Sequence, residues 1–207
     1  MTPAARPHLL LTLGLLASLA CGGDESTGTP GPDPTGGPTF LTAAAGAPAI
    51  AATSAALWAV KGQDHETIIW YRATSGRPDS SKLARLRLDR RSLCNRVDGS
   101  AMADGDSLRI TMTVIDPVRL EVKFEPAGLQ FCSGRPAKLN LWWEHTSRDY
   151  DKDGDVDAAD AALEAKFSIW KRETSSSPWI KLASVLRVEV DEAEAELVGF
   201  TSYLVAY

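Results

Sequence analysis

Six aspartates fall within twelve residues, in the run Asp149-Tyr150-Asp151-Lys152-Asp153-Gly154-Asp155-Val156-Asp157-Ala158-Ala159-Asp160. Carboxylates occupy the first, third and fifth places, glycine the sixth, and a carboxylate closes the run at the twelfth. This spacing suits a hard divalent cation. Calcium takes about six to eight oxygen ligands at roughly 2.3–2.6 Å, and a chain curling around an ion turns alternate side chains inward. Asp149, Asp151 and Asp153 supply three carboxylates. Asp155 is placed to offer its main-chain carbonyl, Asp157 to hold a ligating water, and Asp160 to close the cage. Gly154 permits the sharp bend because it lacks a Cβ, and Val156 is expected to face inward and brace the loop. Without a cation, carboxylates this crowded repel by roughly 1 kcal/mol per close pair even in high dielectric. An all-oxygen donor set disfavours zinc and copper. The cofactor expected from these residues is calcium.

The frame resembles an EF-hand loop. Asp160 at the twelfth place, where Glu is usual, is similar to the loops of dockerins and related secreted bacterial calcium modules. A dockerin carries two such loops, and this chain has one. The segment before it, Leu139 to Glu144, reads as a strand rather than an entering helix, and Ala158 to Leu163 suits a short exiting helix. A single EF-hand-like loop inserted between two strands is therefore expected, without cohesin docking.

Other chemistry finds little support. The three histidines, His8, His65 and His145, form no His-x-x-x-His pair and no His/Cys cluster, so zinc hydrolysis lacks ligands. No G-x-S-x-G elbow occurs. The chain is not expected to be an enzyme. Cys94 and Cys132 are candidates for a disulfide outside the cytoplasm, the alternative being two buried thiols too far apart to bond. Trp58, Trp70, Trp142, Trp170 and Trp179 lie in alternating segments and are expected to serve as core aromatics. Trp142 and Trp143 are adjacent and so face opposite sides of a strand, one of them outward or under the acidic loop.

The N-terminus reads as an address. Arg6 and the amino terminus precede the apolar run Leu9 to Ala20, which at 12 residues is shorter than the ~20 a spanning helix needs. Ser18-Leu19-Ala20-Cys21 resembles a bacterial lipobox, which implies cleavage after residue 20 and diacylation of Cys21. Two acyl chains anchor stably where one does not. Residues 22–39 contain ten Gly or Pro among 18 and suit a solvated tether. The expected organisation is a signal peptide at 1–20, a lipid-anchored flexible linker at 21–55 and a folded domain at 56–207. The Ala-rich residues 41–56 either extend the tether or enter the fold as an edge strand.

The folded part alternates with period two, as half-buried strands do. Strands are expected over 56–61 and 67–72, forming a hairpin, and over 83–88, 108–114, 120–124, 139–143 and 163–169. Two or three more follow after Trp179. Asp98-Gly99, Asp104-Gly105 and Asp116-Pro117 mark turns. Some nine short strands with one charged face suggest an all-β antiparallel sandwich. Residues 98–207 resemble the ZU-type, Ig-like β-sandwich domains of bacterial surface proteins. The resemblance rests on Phe124-Glu125-Pro126-Ala127-Gly128-Leu129-Gln130-Phe131 with Pro136 to Leu139, on Trp179 to Leu182, and on Gly199-Phe200-Thr201-Ser202-Tyr203-Leu204. It implies a non-catalytic structural or interaction module.

The formal net charge of the 207 residues is −5, and the loop's six Asp and one Lys account for all of it. The acidity is thus one local site. The net acidity argues against a nucleic-acid partner, which would need a basic face. The expected protein is a calcium-binding, lipid-anchored envelope protein with a structural or adhesive role. The alternative is a calcium-dependent module recognising a glycan or an extracellular protein partner. The membrane is expected to be touched through the N-terminal lipid only.

Overall fold

The computed structural model describes residues 37–74 and 81–207, which fall within one compact unit spanning 32–207. The expected signal segment 1–20, Cys21 and residues 22–36 lie outside the described residues. No helix among the described residues is long and apolar enough to cross a membrane.

Among the described residues, eleven strands form two antiparallel sheets, with one short α-helix at Ala158–Glu164. The six-stranded sheet runs β1 (Ser54–Val60), β4 (Ser107–Asp116), β5 (Glu121–Glu125), β11 (Ser202–Ala206), β7 (Ser168–Arg172) and β8 (Ile180–Lys181). The five-stranded sheet runs β2 (His65–Trp70), β3 (Lys82–Leu88), β6 (Ala137–Trp142), β10 (Glu192–Leu197) and β9 (Ser184–Arg187). Every pairing between these strands is antiparallel. The fold is an all-β sandwich.

The alternation explains the layers. In β3, Ala84, Leu86 and Leu88 are buried on one face while Arg85 and Arg87, alternating with them, keep one flank in water. In β10, Ala193, Ala195 and Leu197 turn inward and Glu196 outward. The inward sets merge into one core that includes Ile69, Leu139, Phe124, Leu129, Ile110 and Tyr203. Burying a side chain of this kind contributes roughly 1.5–3 kcal/mol. Phe124 stacks on Phe200 at 5.0 Å and meets Tyr203 edge-on at 5.7 Å.

Several expectations need correction. β1 and β2 are consecutive but do not pair as a hairpin: β1 pairs β4, and β2 pairs β3 in the other sheet. The turn between them changes sheets, so each strand's apolar side meets the shared core from its own layer. The 163–169 strand begins only at Ser168, because Ala158–Glu164 is helix α1. Helix-favouring Ala and Leu, capped by Asp157, prevail there over a short alternation. Trp58, Trp70 and Trp142 are not core residues, with Trp58 65% exposed, while Trp170 is buried.

The chain also joins the sandwich earlier than residue 56. Leu41 is buried in the core. Thr39 exchanges backbone hydrogen bonds with Tyr207, and Ala43 N donates to Val118 O at 2.8 Å. The Ala-rich stretch therefore packs on the domain as isolated bridges, Phe40 to Ala206 and Ala43 to Thr146.

Cys94 and Cys132 form a disulfide with a Cα–Cα distance of 5.2 Å. It joins the β3–β4 connection to the β5–β6 connection, each of which passes from one sheet to the other. Cys132 N donates to Ser92 O at 2.8 Å beside it.

Candidate metal centre

The acidic run leaves β6 and returns through α1 to β7, so its ends are held by different sheets. Its foundation is aromatic. Trp143 is fully buried, and its indole N–H donates to Glu164 Oε1 at 2.8 Å. Tyr150, the second residue of the run, is buried and meets Phe167 edge-on at 4.8 Å. Phe167 also meets Trp143 and stacks on Tyr207, whose hydroxyl donates to Tyr150 O. Burial pushes the Tyr150 phenol up to about 12, so it stays neutral. Arg148 donates to Glu164 at 2.9 Å and to Asp191 at 2.6 Å, clamping the entry of the run to α1 and to the turn before β10.

Above this base the aspartates organise the backbone. Asp149 Oδ2 accepts from Gly154 N at 3.1 Å, Asp151 Oδ1 from Asp153 N at 3.3 Å, and Asp153 Oδ1 from Asp155 N at 3.2 Å. These bonds curl the chain so that carboxylate oxygens of Asp149, Asp151 and Asp153 lie within 4.8 Å of one another. Gly154 has φ +102°, a conformation that side chains with a Cβ rarely adopt. Desolvation raises the Asp151 carboxyl above its ordinary value, aided by the charges of Asp153, Asp160 and Asp149.

Asp155, Asp157 and Asp160 form a second group within 4.8 Å. Asp157 is the N-cap of α1 and accepts from Ala159 N at 2.6 Å. Asp160 is only 2% exposed. Its Oδ2 accepts from Asp157 N at 3.0 Å, completing a capping box, and its Oδ1 accepts from the amides of Tyr150 and Asp151. The amide of Asp157 first, then those of Tyr150 and Asp151, hold this carboxyl below the ordinary Asp range. Asp160 thus ties the loop's end back to its beginning.

Asp149 supplies the test of fit for a cation. Its Oδ1 is buried and has no hydrogen-bond partner among the described residues, while its Oδ2 is engaged by Gly154. A buried carboxylate oxygen without a partner is costly. It belongs to the first residue of the acidic run, beside two further carboxylates, so the residues present fit a hard cation.

The six expected ligands therefore gather as two sets of three. Val156 does not brace the loop and is 66% exposed. Tyr150 does so instead, through the aromatic base. The bracing residues Trp143, Tyr150, Phe167 and Glu164 escape a ligand-spacing search. Two signals in the sequence point to them: the adjacent Trp142 and Trp143, one of which is expected outward or under the loop, and an aromatic at the second place of an acidic run.

The sequence matches no protein-family model, no curated protein and no solved structure.

Proposed function

We propose that this chain is a calcium-binding, lipid-anchored protein of the cell envelope with a structural or adhesive role. The observation that carries the calcium reading is the buried, unpartnered Oδ1 of Asp149 in the cluster with Asp151 and Asp153. In this reading the 149–160 run acts as an EF-hand-like loop. Asp149, Asp151 and Asp153 hold the ion, with Asp155, Asp157 and Asp160 closing the far side. The ion supplies positive charge that relieves repulsion among the carboxylates and pins the β6–β7 connection. The anchor rests on the lipobox resemblance at Cys21. The Ig-like, ZU-type assignment is supported by Tyr203, whose hydroxyl donates to Gly199 O at 2.6 Å, a local lock used at corners of immunoglobulin-like sandwiches.

Calcium titration with thermal melting tests the reading. At ten times a Kd of order 10⁻⁴–10⁻³ M, binding to the native state adds about 1.4 kcal/mol, or roughly 3–6 °C in Tm. No heat of binding and no shift in Tm at millimolar calcium would refute it.

A second reading, calcium-dependent recognition of a glycan or protein, is favoured by one feature. Lys82 Nζ lies 5.8 Å from the Trp70 ring and 5.2 Å from the Trp142 ring, with Arg85 over Trp142 at 5.4 Å. This is an aromatic and cationic patch on the outer face of the five-stranded sheet. A glycan array probed with and without calcium, alongside Trp70→Ala, separates the two readings.

A further inference from the structure

The two sheets have four edges: β1 and β8 in one, β2 and β9 in the other. Exposed edges invite pairing with another chain, and proteins blunt them with short strands, charges or irregularities. Three of the four are blunted here. β8 has two residues including Lys181, and β9 has four including Arg187. β2 carries Glu66 and a register shift at Ile69/Trp70, and Ala51 N donates to Trp70 O at its end. β1 is different. Its seven residues, Ser54-Ala55-Ala56-Leu57-Trp58-Ala59-Val60, carry no charge and no proline. They pair β4 in unbroken register.

The direction of the β1 backbone groups follows from its ends. Lys61 N donates to Asp106 O, Lys61 O accepts from Gly105 N, and Thr53 O accepts from Val114 N. Residues of that parity bond toward β4, so Ser54, Ala56, Trp58 and Val60 turn their N–H and C=O groups away from it. Val60 is already capped: its N–H donates to His65 Nε2 at 2.7 Å, and its carbonyl accepts from Gln63 N at 3.2 Å. Ser54, Ala56 and Trp58 remain, and no strand among the described residues pairs with them.

We propose that a second copy of this chain docks β1 antiparallel against β1, with the two-fold axis at Ala56. The pattern is self-complementary about that residue. Ala56 exchanges both backbone hydrogen bonds with its equivalent, and Ser54 faces the partner's Trp58. The side chains of Ser54, Ala56 and Trp58 share one exposed face of the strand. Each indole then lies opposite a serine and diagonal to an alanine, small residues that leave it room. No charged residue lies in the seam. Arg109, the cross-strand neighbour of Trp58 on β4, stands one strand back on the row of the partner's Thr113, so no like charges meet. The six-stranded sheet continues into its partner through an isologous contact.

Cysteine crosslinking of the full chain in mild detergent tests the pairing. Hydrogen-bonded antiparallel pairs bring Cα atoms to about 5.5 Å, within the disulfide range of roughly 4.4–6.8 Å. Ala56→Cys is expected to give a disulfide dimer on mild oxidation. Thr111→Cys, opposite it on β4, and the wild type are expected to give none. Equal dimer yields from Ala56→Cys and Thr111→Cys would overturn the proposal. Light scattering supplies the second measurement. The wild type is expected at the mass of two chains. Ala56→Pro deletes an N–H that β4 does not use and is expected to halve that mass. Trp58→Lys, at a position already exposed, gives the same reading if the proline variant does not fold. A wild type of single-chain mass at every concentration, or folded variants that stay dimeric, would refute self-pairing.

Discussion

Asp149 concentrates the argument at the scale of single residues. One of its oxygens shapes the loop through the Gly154 amide, and the other is buried without a partner. Asp149→Asn keeps the shape of the side chain but replaces an anionic ligand with a neutral one. Calorimetry is expected to show calcium affinity falling at least about tenfold, equivalent to roughly 1.4 kcal/mol. Melting without calcium is expected to hold or rise, because the variant relieves repulsion from Asp151 and Asp153. A large loss of stability without calcium would instead give Asp149 a purely structural part. Asp160 is a different kind of residue, since both of its oxygens already accept backbone amides.

At the scale of elements, the approach to β11 depends on Gly199. A Cβ there would lie 2.9 Å from Leu129 O and 2.7 Å from Gln130 Nε2. The glutamine can swing aside, but the carbonyl is held by Phe200 N, and Phe131 N donates to Val198 O on the other side of the bridge. Gly199→Ala is expected to cost about 1–3 kcal/mol, read as a lower urea midpoint with unchanged slope. The five-stranded sheet has its own electrostatic tie. Glu194 on β10 accepts from Arg87 on β3 at 2.7 Å and from Lys138 and Asn140 on β6 at 3.1 and 3.0 Å. Desolvation pushes its carboxyl up, but the hydrogen bonds from Asn140 and Lys138 and the charges of Lys138 and Arg87 outweigh it. The carboxyl therefore lies below the ordinary 4.5. A depressed carboxyl stabilises the fold above its unfolded value, and that contribution disappears as pH falls through the folded value. Urea midpoints measured from pH ~7 down to ~3 are expected to fall more steeply in the wild type than in Glu194→Gln. Parallel curves would show that Glu194 does not couple folding to protons.

For the whole molecule, the disulfide and the acidic loop act on different connections. Cys94–Cys132 spans 38 residues and closes the crossings around β4 and β5. Removing it is expected to cost about 3–4 kcal/mol, chiefly through the unfolded chain. Chemical denaturation of the Cys94→Ala/Cys132→Ala variant measures the loss. The loop lies on the β6–β7 connection and rests on Phe167 and Tyr207. Since the two features share no residues, their effects on Tm are expected to add. Calcium should therefore raise the Tm of the double variant by about as much as that of the wild type. A calcium shift lost with the disulfide would mean that the loop depends on the distant crossing.

The order of residues alone determined which segments form the layers, because alternation of polar and apolar side chains dictates which face of a strand is buried. Leu83 to Leu88, Leu108 to Val114 and Leu120 to Phe124 were legible for that reason. So was the crowding of the aspartates, because their spacing and the bend at Gly154 are local properties. Pairing was not legible. Nothing near β1 and β2 says that they join different sheets, since partners up to 59 residues away decide it, as Ser54 and Thr113 do. The role of the 39–53 segment depended on surfaces built by β11 and by the Trp143–Ser147 turn. Asp160 accepts from the amides of Tyr150 and Asp151 as well as from the cap of α1, a choice that the spacing of the aspartates does not specify. That choice follows from an aromatic base assembled from Trp143, Tyr150, Phe167 and Tyr207, which the fold brings together from positions spread over 65 residues of the chain. Local spacing sets which side chains share the loop, and long-range packing decides which of their atoms are left without a partner.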